Sequence, residues 1–140
     1  MNLLQKFKGT YFDIFLFFAL FVYSFKLFGF NQLTLLGYII TLAGAILWTT
    51  ARYQLGEAFS VFPKAKKIVQ TGIYKKIRHP IYTSDIITIF GLCLVYQKLW
   101  INLVLLALII MQVIRAKAEE KILTNKFGQE YISYKKSTWF

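Results

Sequence analysis

Residues 80–114 read PIYTSDIITIFGLCLVYQKLWINLVLLALIIMQVI, two apolar runs separated by a short polar break. The runs are Pro80–Tyr96 and Trp100–Ile114, and the break is Gln97-Lys98-Leu99, which suits a tight helical turn. At about 1.5 Å per residue each arm reaches about 24 Å, so the pair either thins the bilayer or stops short of its far face. The segment therefore predicts a short helical hairpin that returns the chain to the side from which it came.

Two longer apolar runs precede the hairpin. Tyr11–Phe30 is nearly continuous over about 20 residues, which matches a bilayer core of about 30 Å. Gln32–Arg52 gives a second span, in which Gly37 and Gly44 are small enough to allow close helix contact. With 57% hydrophobic and 16% charged residues, the composition excludes an ordinary soluble domain. The fold class predicted is an all-α integral membrane protein with four transmembrane helices.

The positive charges are distributed unevenly around these runs. Of 17 lysines and arginines, Lys26 and Lys98 alone fall on one side of the predicted spans, and the others lie before the first, between the second and third, or after the fourth. The positive-inside rule then places both termini and the long loop in the cytoplasm of a bacterial-type inner membrane. Attraction to anionic lipid, about 1 kcal/mol per near-surface cation, accounts for the net charge of +11, so no nucleic-acid partner is predicted.

The chain reads as a single membrane domain, 1–140, with two unequal halves. Residues 1–53 contain the first two spans, and residues 54–140 alternate polar and apolar segments and carry the candidate chemistry. After the hairpin, Arg115–Lys136 has the pattern of an amphipathic C-terminal helix on the cytoplasmic face. Gly128 is a candidate break within it.

A polar motif, Arg78-His79-Pro80-Ile81-Tyr82, meets the third apolar run. Proline disfavours helical angles in the residue before it and suits the first turn of a helix, so Arg78 and His79 should approach in extended form a helix that starts near Pro80. His79 is the single histidine and could be a general base, an anion contact or an interfacial residue. Lacking partners at metal-ligand spacing, it predicts no metal site.

Other ionisable and aromatic residues lie beside the apolar runs. Asp85 falls inside the third run, where an ionisable group usually faces a cavity or a partner. Arg115 and Glu119 are four residues apart on one helix face, which fits either an interfacial salt bridge or a functional pair. Tyr74 and Tyr82 are either interfacial belt residues or aromatic contacts for a cation or a purine.

Short motifs follow one another around the hairpin: Leu55-Gly56, Thr71-Gly72-Ile73-Tyr74, Arg78-His79-Pro80-Ile81-Tyr82, Arg115 with Glu119-Glu120, and Phe127-Gly128-Gln129-Glu130-Tyr131 with Tyr134. Read in order, these motifs resemble the isoprenylcysteine carboxyl methyltransferase and phospholipid methyltransferase superfamily of membrane enzymes. The resemblance extends over about Arg52–Tyr134 and depends on the order and spacing of short motifs around the hairpin. The sequence departs from the family pattern at Ile73, where proline is common, and at Ser84, where glycine is common.

The resemblance implies that S-adenosyl-L-methionine binds at the cytoplasmic face. It assigns catalytic roles to Arg115 and Glu119, with Arg115 near the acceptor. Asp85 is a further candidate on the acceptor side, since an amine acceptor must lose a proton, which Glu119, Glu120 or Asp85 could take. The cofactor contacts implied by position are Lys67, Ile68, Val69, Tyr74, His79, Pro80, Ile81, Tyr82 and Glu119.

The function expected is methyl transfer at the membrane interface to a lipophilic acceptor drawn from the bilayer. An isoprenylcysteine carboxylate, a phospholipid amine and a small thiol or hydrophobic compound all remain open as acceptors. One alternative is a non-catalytic membrane scaffold or lipid-binding protein, which would not need the Arg-His-Pro-x-Tyr motif. Another is a nicotinamide-dependent membrane reductase, which is disfavoured because the short loops leave little protein to cover a dinucleotide.

Overall fold

The computed structural model describes residues 18, 19, 21–56 and 68–139. In that part of the chain all regular structure is helical, which confirms the all-α class. The first predicted span, Tyr11–Phe30, lies largely outside the described residues, and so does Lys67. The elements are α1 (21–28), α2 (Gln32–Leu55), a 3-10 turn (Gly72–Lys75), α3 (Pro80–Tyr96), α4 (Leu99–Phe127) and α5 (Gln129–Ser137).

Helix α2 begins with a reciprocal capping box. The Asn31 side chain accepts a hydrogen bond from the Thr34 amide at 2.8 Å, and the Thr34 hydroxyl accepts one from the Asn31 amide at 2.8 Å. The helix ends before Gly56, whose φ is 52°. Among the described helices, α2 and α4 are long and apolar enough to cross a membrane, whereas α3 is shorter. The arrangement of four spans stays a prediction.

Helices α2 and α3 pack through small residues. A methyl group added at Gly91 would lie 2.6 Å from the Thr41 amide nitrogen and 2.7 Å from the Gly37 carbonyl oxygen. One added at Gly44 would lie 2.7 Å from the Thr88 amide nitrogen. These distances leave no room for a side chain, so the two backbones are in direct contact. The predicted role of Gly37 and Gly44 is confirmed, and Gly91 is their counterpart on α3.

The two helices of the predicted hairpin form. Helix α3 has the predicted bounds, whereas α4 extends beyond the predicted end of its apolar run. Helix α3 runs from Pro80 to Tyr96, and Gln97, with φ 48°, closes the turn. Helix α4 then continues through Ile114 to Phe127 without a break, over 29 residues or about 44 Å. The predicted end of the apolar run at Ile114 is thus not a helix end, and Arg115–Phe127 belongs to α4. Arginine, alanine, lysine and glutamate in the following turns are all strong helix formers, so the helix persists where the apolar run ends. The candidate break at Gly128 is confirmed.

Gly128 ends α4 and redirects the chain into α5. Its φ is 51°, which glycine adopts without strain. The reversal lets Tyr131 and Tyr134 of α5 pack against Leu123 of α4, with Ile68 and Phe127 at the edge of the cluster. The C-terminal helix is thereby held against the segment that precedes α3.

Candidate active site

The segment before α3 is fixed from two sides. The Ile73 amide donates to Gln54 Oε1 at 2.7 Å, and the Tyr74 hydroxyl donates to the Ala51 carbonyl at 3.3 Å, both at the end of α2. From α5, the Tyr134 hydroxyl donates to the Tyr74 carbonyl at 2.7 Å. Burial raises the pKa of Tyr74, so its hydroxyl remains a neutral donor. The motif residues that follow are therefore held in a defined position.

Glu120 joins three parts of the chain. Its Oε1 forms an ion pair with Arg78 and lies 3.4 Å from His79 Nε2, and its Oε2 lies 2.8 Å from Lys135 Nζ. Arg78 Nε also donates to Thr138 Oγ1 at 3.1 Å. These contacts connect the approach to α3, the polar end of α4 and the C-terminal residues. The sequence motifs included Glu120 but gave no sign of this role.

His79 is the last residue before α3 and is largely enclosed. Its carbonyl accepts from both the amide and the hydroxyl of Thr83 at 2.9 Å, and its ring lies 5.8 Å from that of Tyr82. Burial lowers the pKa of His79, and the nearby Glu120 carboxylate acts in the opposite direction. The imidazole is therefore neutral near pH 7 and can donate from Nε2 to Glu120.

Glu119 faces a different partner from its neighbour. The Glu119 carboxylate acts electrostatically on the Tyr82 hydroxyl, and Arg115 acts on the same hydroxyl. Glu119 is close enough to act electrostatically on Tyr74 as well. The structure thus brings together Tyr74, Tyr82, Arg115 and Glu119, hereafter the tyrosine–glutamate cluster. Arg115 and Glu119, both described, form no ion pair with each other.

Asp85 also finds a partner on α4. Gln112 Nε2 donates to Asp85 Oδ2 at 2.7 Å, and Arg115 acts electrostatically on the same carboxyl. The sequence analysis expected a partner for Asp85 but did not name Gln112. The available signal was that Gln112 is the one polar residue between Asn102 and Arg115.

A groove with a volume of about 450 Å³ runs between α3 and α4. Because the helices are antiparallel, its polar end contains His79 and Glu120, and the opposite end is formed by the next turns of each helix. Its walls repeat every three or four residues, as expected for one face of each helix. The lining residues are His79, Tyr82, Thr83, Ile86, Ile87, Gln112, Val113, Ala116, Lys117 and Glu120.

The other predicted cofactor contacts have varied surroundings. Ile68 packs against the Tyr131–Tyr134 cluster, and Val69 next to it is half-buried. Pro80 is fully buried at the start of α3. Ile81 is half-buried and its carbonyl accepts from Ser84 Oγ at 2.7 Å. Ser84 is fully buried, so its hydroxyl is satisfied within its own helix.

This chain is similar in sequence to known proteins. The model of the phospholipid methyltransferase family matches residues 33–130, which include α3, α4 and the whole groove. Protein-S-isoprenylcysteine O-methyltransferase of Saccharomyces cerevisiae is 33% identical over 112 residues, covering 73% of this chain. The chain spans 45% of the length of that relative. No solved structure gives a significant match.

The match assigns the chain to the class of the membrane methyltransferase families, and two of its described helices are long and apolar enough to span a membrane. Within that class, the chain belongs to the phospholipid methyltransferase family. The resemblance found in the motifs is confirmed.

Proposed function

We propose that the protein is an S-adenosyl-L-methionine-dependent methyltransferase that acts at the membrane interface on a lipophilic acceptor. The observation that carries the proposal is the position of the tyrosine–glutamate cluster, which joins a groove between two apolar helices through Tyr82. A polar cofactor can reach such a site from water while a lipophilic acceptor reaches it from the bilayer. Family membership supports the same reading.

The residues present fit this cofactor. It carries groups of both charges and an aromatic base, and the site offers the Glu119 carboxylate, the Arg115 guanidinium and the rings of Tyr74 and Tyr82. The Tyr131 hydroxyl, on a residue only 1% exposed, has no hydrogen-bond partner among the described residues. Glu119 and Glu120 both act electrostatically on Tyr131, so this spare donor lies beside the cluster.

When bound, S-adenosyl-L-methionine supplies an electrophilic methyl group for in-line transfer. The contribution of the chain is to align the acceptor with that group and to exclude water, which is where most of the rate gain arises in such reactions. Glu119 and Tyr82 would hold the cofactor, and the neutral His79 with Pro80 would form the wall beside it. This division keeps His79 out of proton transfer.

Arg115 and Asp85 would act on the molecule that accepts the methyl group. An anionic acceptor, such as a carboxylate or a thiolate, would need only to be oriented, and Arg115 supplies the charge for that. An amine acceptor must lose a proton, which Asp85 or Glu119 could take. Glu120 is unsuited to this task because Arg78 and Lys135 already bind it.

The nearest test is cofactor binding by calorimetry with the protein purified in detergent. We expect saturable binding of S-adenosyl-L-methionine, and protection by it in a thermal-shift assay. A folded, monodisperse sample that fails to bind would contradict the proposal. Protection by reduced nicotinamide cofactor in place of S-adenosyl-L-methionine would favour a reductase.

A further inference from the structure

Asp85 and Gln112 form a polar pair across two apolar helices. Asp85 lies five residues after Pro80, about 7 Å along α3, and its carboxyl accepts from Gln112 Nε2 at 2.7 Å. Polar and ionisable groups at this depth are costly to keep and usually serve a partner or a ligand. The pair is thus a feature that helix packing alone does not require.

The Gln112 side-chain amide uses its nitrogen but not its oxygen for a hydrogen bond within the described residues. Its Oε1 is buried and has no hydrogen-bond partner among the described residues. Because the amide nitrogen faces the Asp85 carboxyl, the orientation of the amide is fixed, and Oε1 can act only as an acceptor. Gln112 also lines the groove between α3 and α4. A buried acceptor at a groove wall is satisfied when a ligand brings a donor.

We propose that Gln112, held in place by Asp85, forms a subsite for a hydrogen-bond-donating group, an N–H or O–H, on the molecule that enters the groove. Gln112 Oε1 accepts the hydrogen bond, and Asp85 fixes the orientation of the amide that offers it. A carboxylate ligand would bring a further acceptor and be disfavoured. Arg115 partly offsets the charge of Asp85, so the subsite selects for donors more than for charge. Calling this ligand the methyl acceptor rests on the proposed function; the subsite itself does not.

Two single-chain lipid probes differ in whether their headgroup can donate a hydrogen bond. Dodecylphosphoethanolamine and dodecylphosphocholine share a chain, a phosphate and a positive nitrogen, but only the first has N–H groups. Each is titrated below its critical micelle concentration into the purified full chain, and the dissociation constants are compared by calorimetry. We expect the ethanolamine probe to bind about fivefold more tightly, in line with one or two hydrogen bonds.

Variants then show which residues cause the preference for the ethanolamine probe. Gln112→Met keeps a similar volume without the amide and should reduce the preference to less than about twofold. Asp85→Asn retains the shape of the side chain but not its charge, and it should also reduce the preference for the ethanolamine probe. This variant replaces Gln112→Met in the test if Gln112→Met does not fold. Asn102→Leu is the matched control, since Asn102 is another amide on α4 with a buried oxygen and does not line the groove.

Several results would overturn the subsite. They are no binding of the ethanolamine probe, equal affinity for the two probes in the wild type, or a preference that survives both variants. Binding of S-adenosyl-L-methionine is measured on the same preparation. Its failure counts against the proposed function, whereas cofactor binding without any probe preference counts against the subsite alone.

Discussion

Two adjacent glutamates of α4 have separate roles. Successive residues of a helix point about 100° apart, so Glu119 reaches Tyr82 while Glu120 reaches Arg78 and Lys135. The first belongs to the tyrosine–glutamate cluster, and the second holds three parts of the chain together. Substitutions at the two positions should therefore affect different properties.

Glu119→Gln should weaken binding of S-adenosyl-L-methionine by about tenfold or more, because a charged acceptor becomes neutral. Arg115→Ala should mainly lower kcat and leave cofactor affinity within about twofold, because we assign Arg115 to the acceptor. Calorimetry and transfer of a labelled methyl group measure the two effects. The same change in affinity and rate for both variants would contradict this division.

Glu120→Gln should lower stability more than it lowers cofactor affinity. The change leaves Arg78, with a side chain only 12% exposed, without its carboxylate, which should cost about 1–3 kcal/mol. Thermal unfolding in detergent measures the loss. Glu130→Gln, at an exposed position of α5, is the control and should unfold as the wild type does; equal stability of both variants would argue against the joining role of Glu120.

The protonation of His79 should make stability depend on pH. Burial lowers the folded-state pKa of His79, whereas the unfolded value is about 6.5. The unfolded chain then binds more protons, so the stability contributed by neutral His79 is present above about pH 6.5 and is lost as pH falls toward the folded pKa. The wild type should lose more Tm between about pH 7.5 and 5.5 than His79→Gln. Parallel pH profiles would show that His79 is not the cause.

At the scale of elements, the contact between α2 and α3 is the tightest constraint on the site. It fixes the start of α3, and therefore the position of Tyr82, relative to the residues of α2 that hold the Tyr74 segment. The groove lies on another face of α3, against α4. Helix α3 is therefore held by close backbone contact with α2 on one face, while another of its faces forms the groove with α4.

Gly91→Leu should destabilise the fold by about 2 kcal/mol or more, because its side chain would meet the backbone at Thr41 and Gly37. Ala107→Leu also introduces a leucine, but at an exposed position of α4, and should have little effect. Thermal unfolding of both variants in the same detergent measures the difference. If the Gly91 variant melts with the wild type, the two helices are not packed backbone to backbone.

The sequence predicted some elements well and others poorly. Proline chemistry correctly placed the start of α3 at Pro80, and the polar break correctly placed its end at Tyr96. The end of the fourth apolar run at Ile114 is not the end of α4, because hydropathy reports burial in lipid, whereas helix propensity decides where a helix stops. The partners of Glu120 were not predictable, since Arg78 and Lys135 are 42 and 15 residues away along the chain. Motif order nevertheless singled out the residues of the tyrosine–glutamate cluster, whose roles stay a prediction.

For the whole molecule, the predicted orientation places the site and both termini in the cytoplasm. On a Cys93→Ala background, Lys98→Cys should react with a membrane-impermeant maleimide applied to spheroplasts. Lys121→Cys should react only after permeabilisation, because it lies beyond the apolar part of α4. Labelling is read by gel shift. Equal labelling of both positions from outside would contradict the orientation.

The C-terminal contacts also bear on how the protein is made. The Tyr134 hydroxyl reaches the Tyr74 carbonyl, Lys135 reaches Glu120, and the Trp139 amide donates to the Lys76 carbonyl at 2.9 Å. These bonds cannot form until the last of those residues has left the ribosome. A nascent chain whose hairpin has formed would still have an open site, so cofactor capture under the proposed function should follow the emergence of α5 and not that of the hairpin.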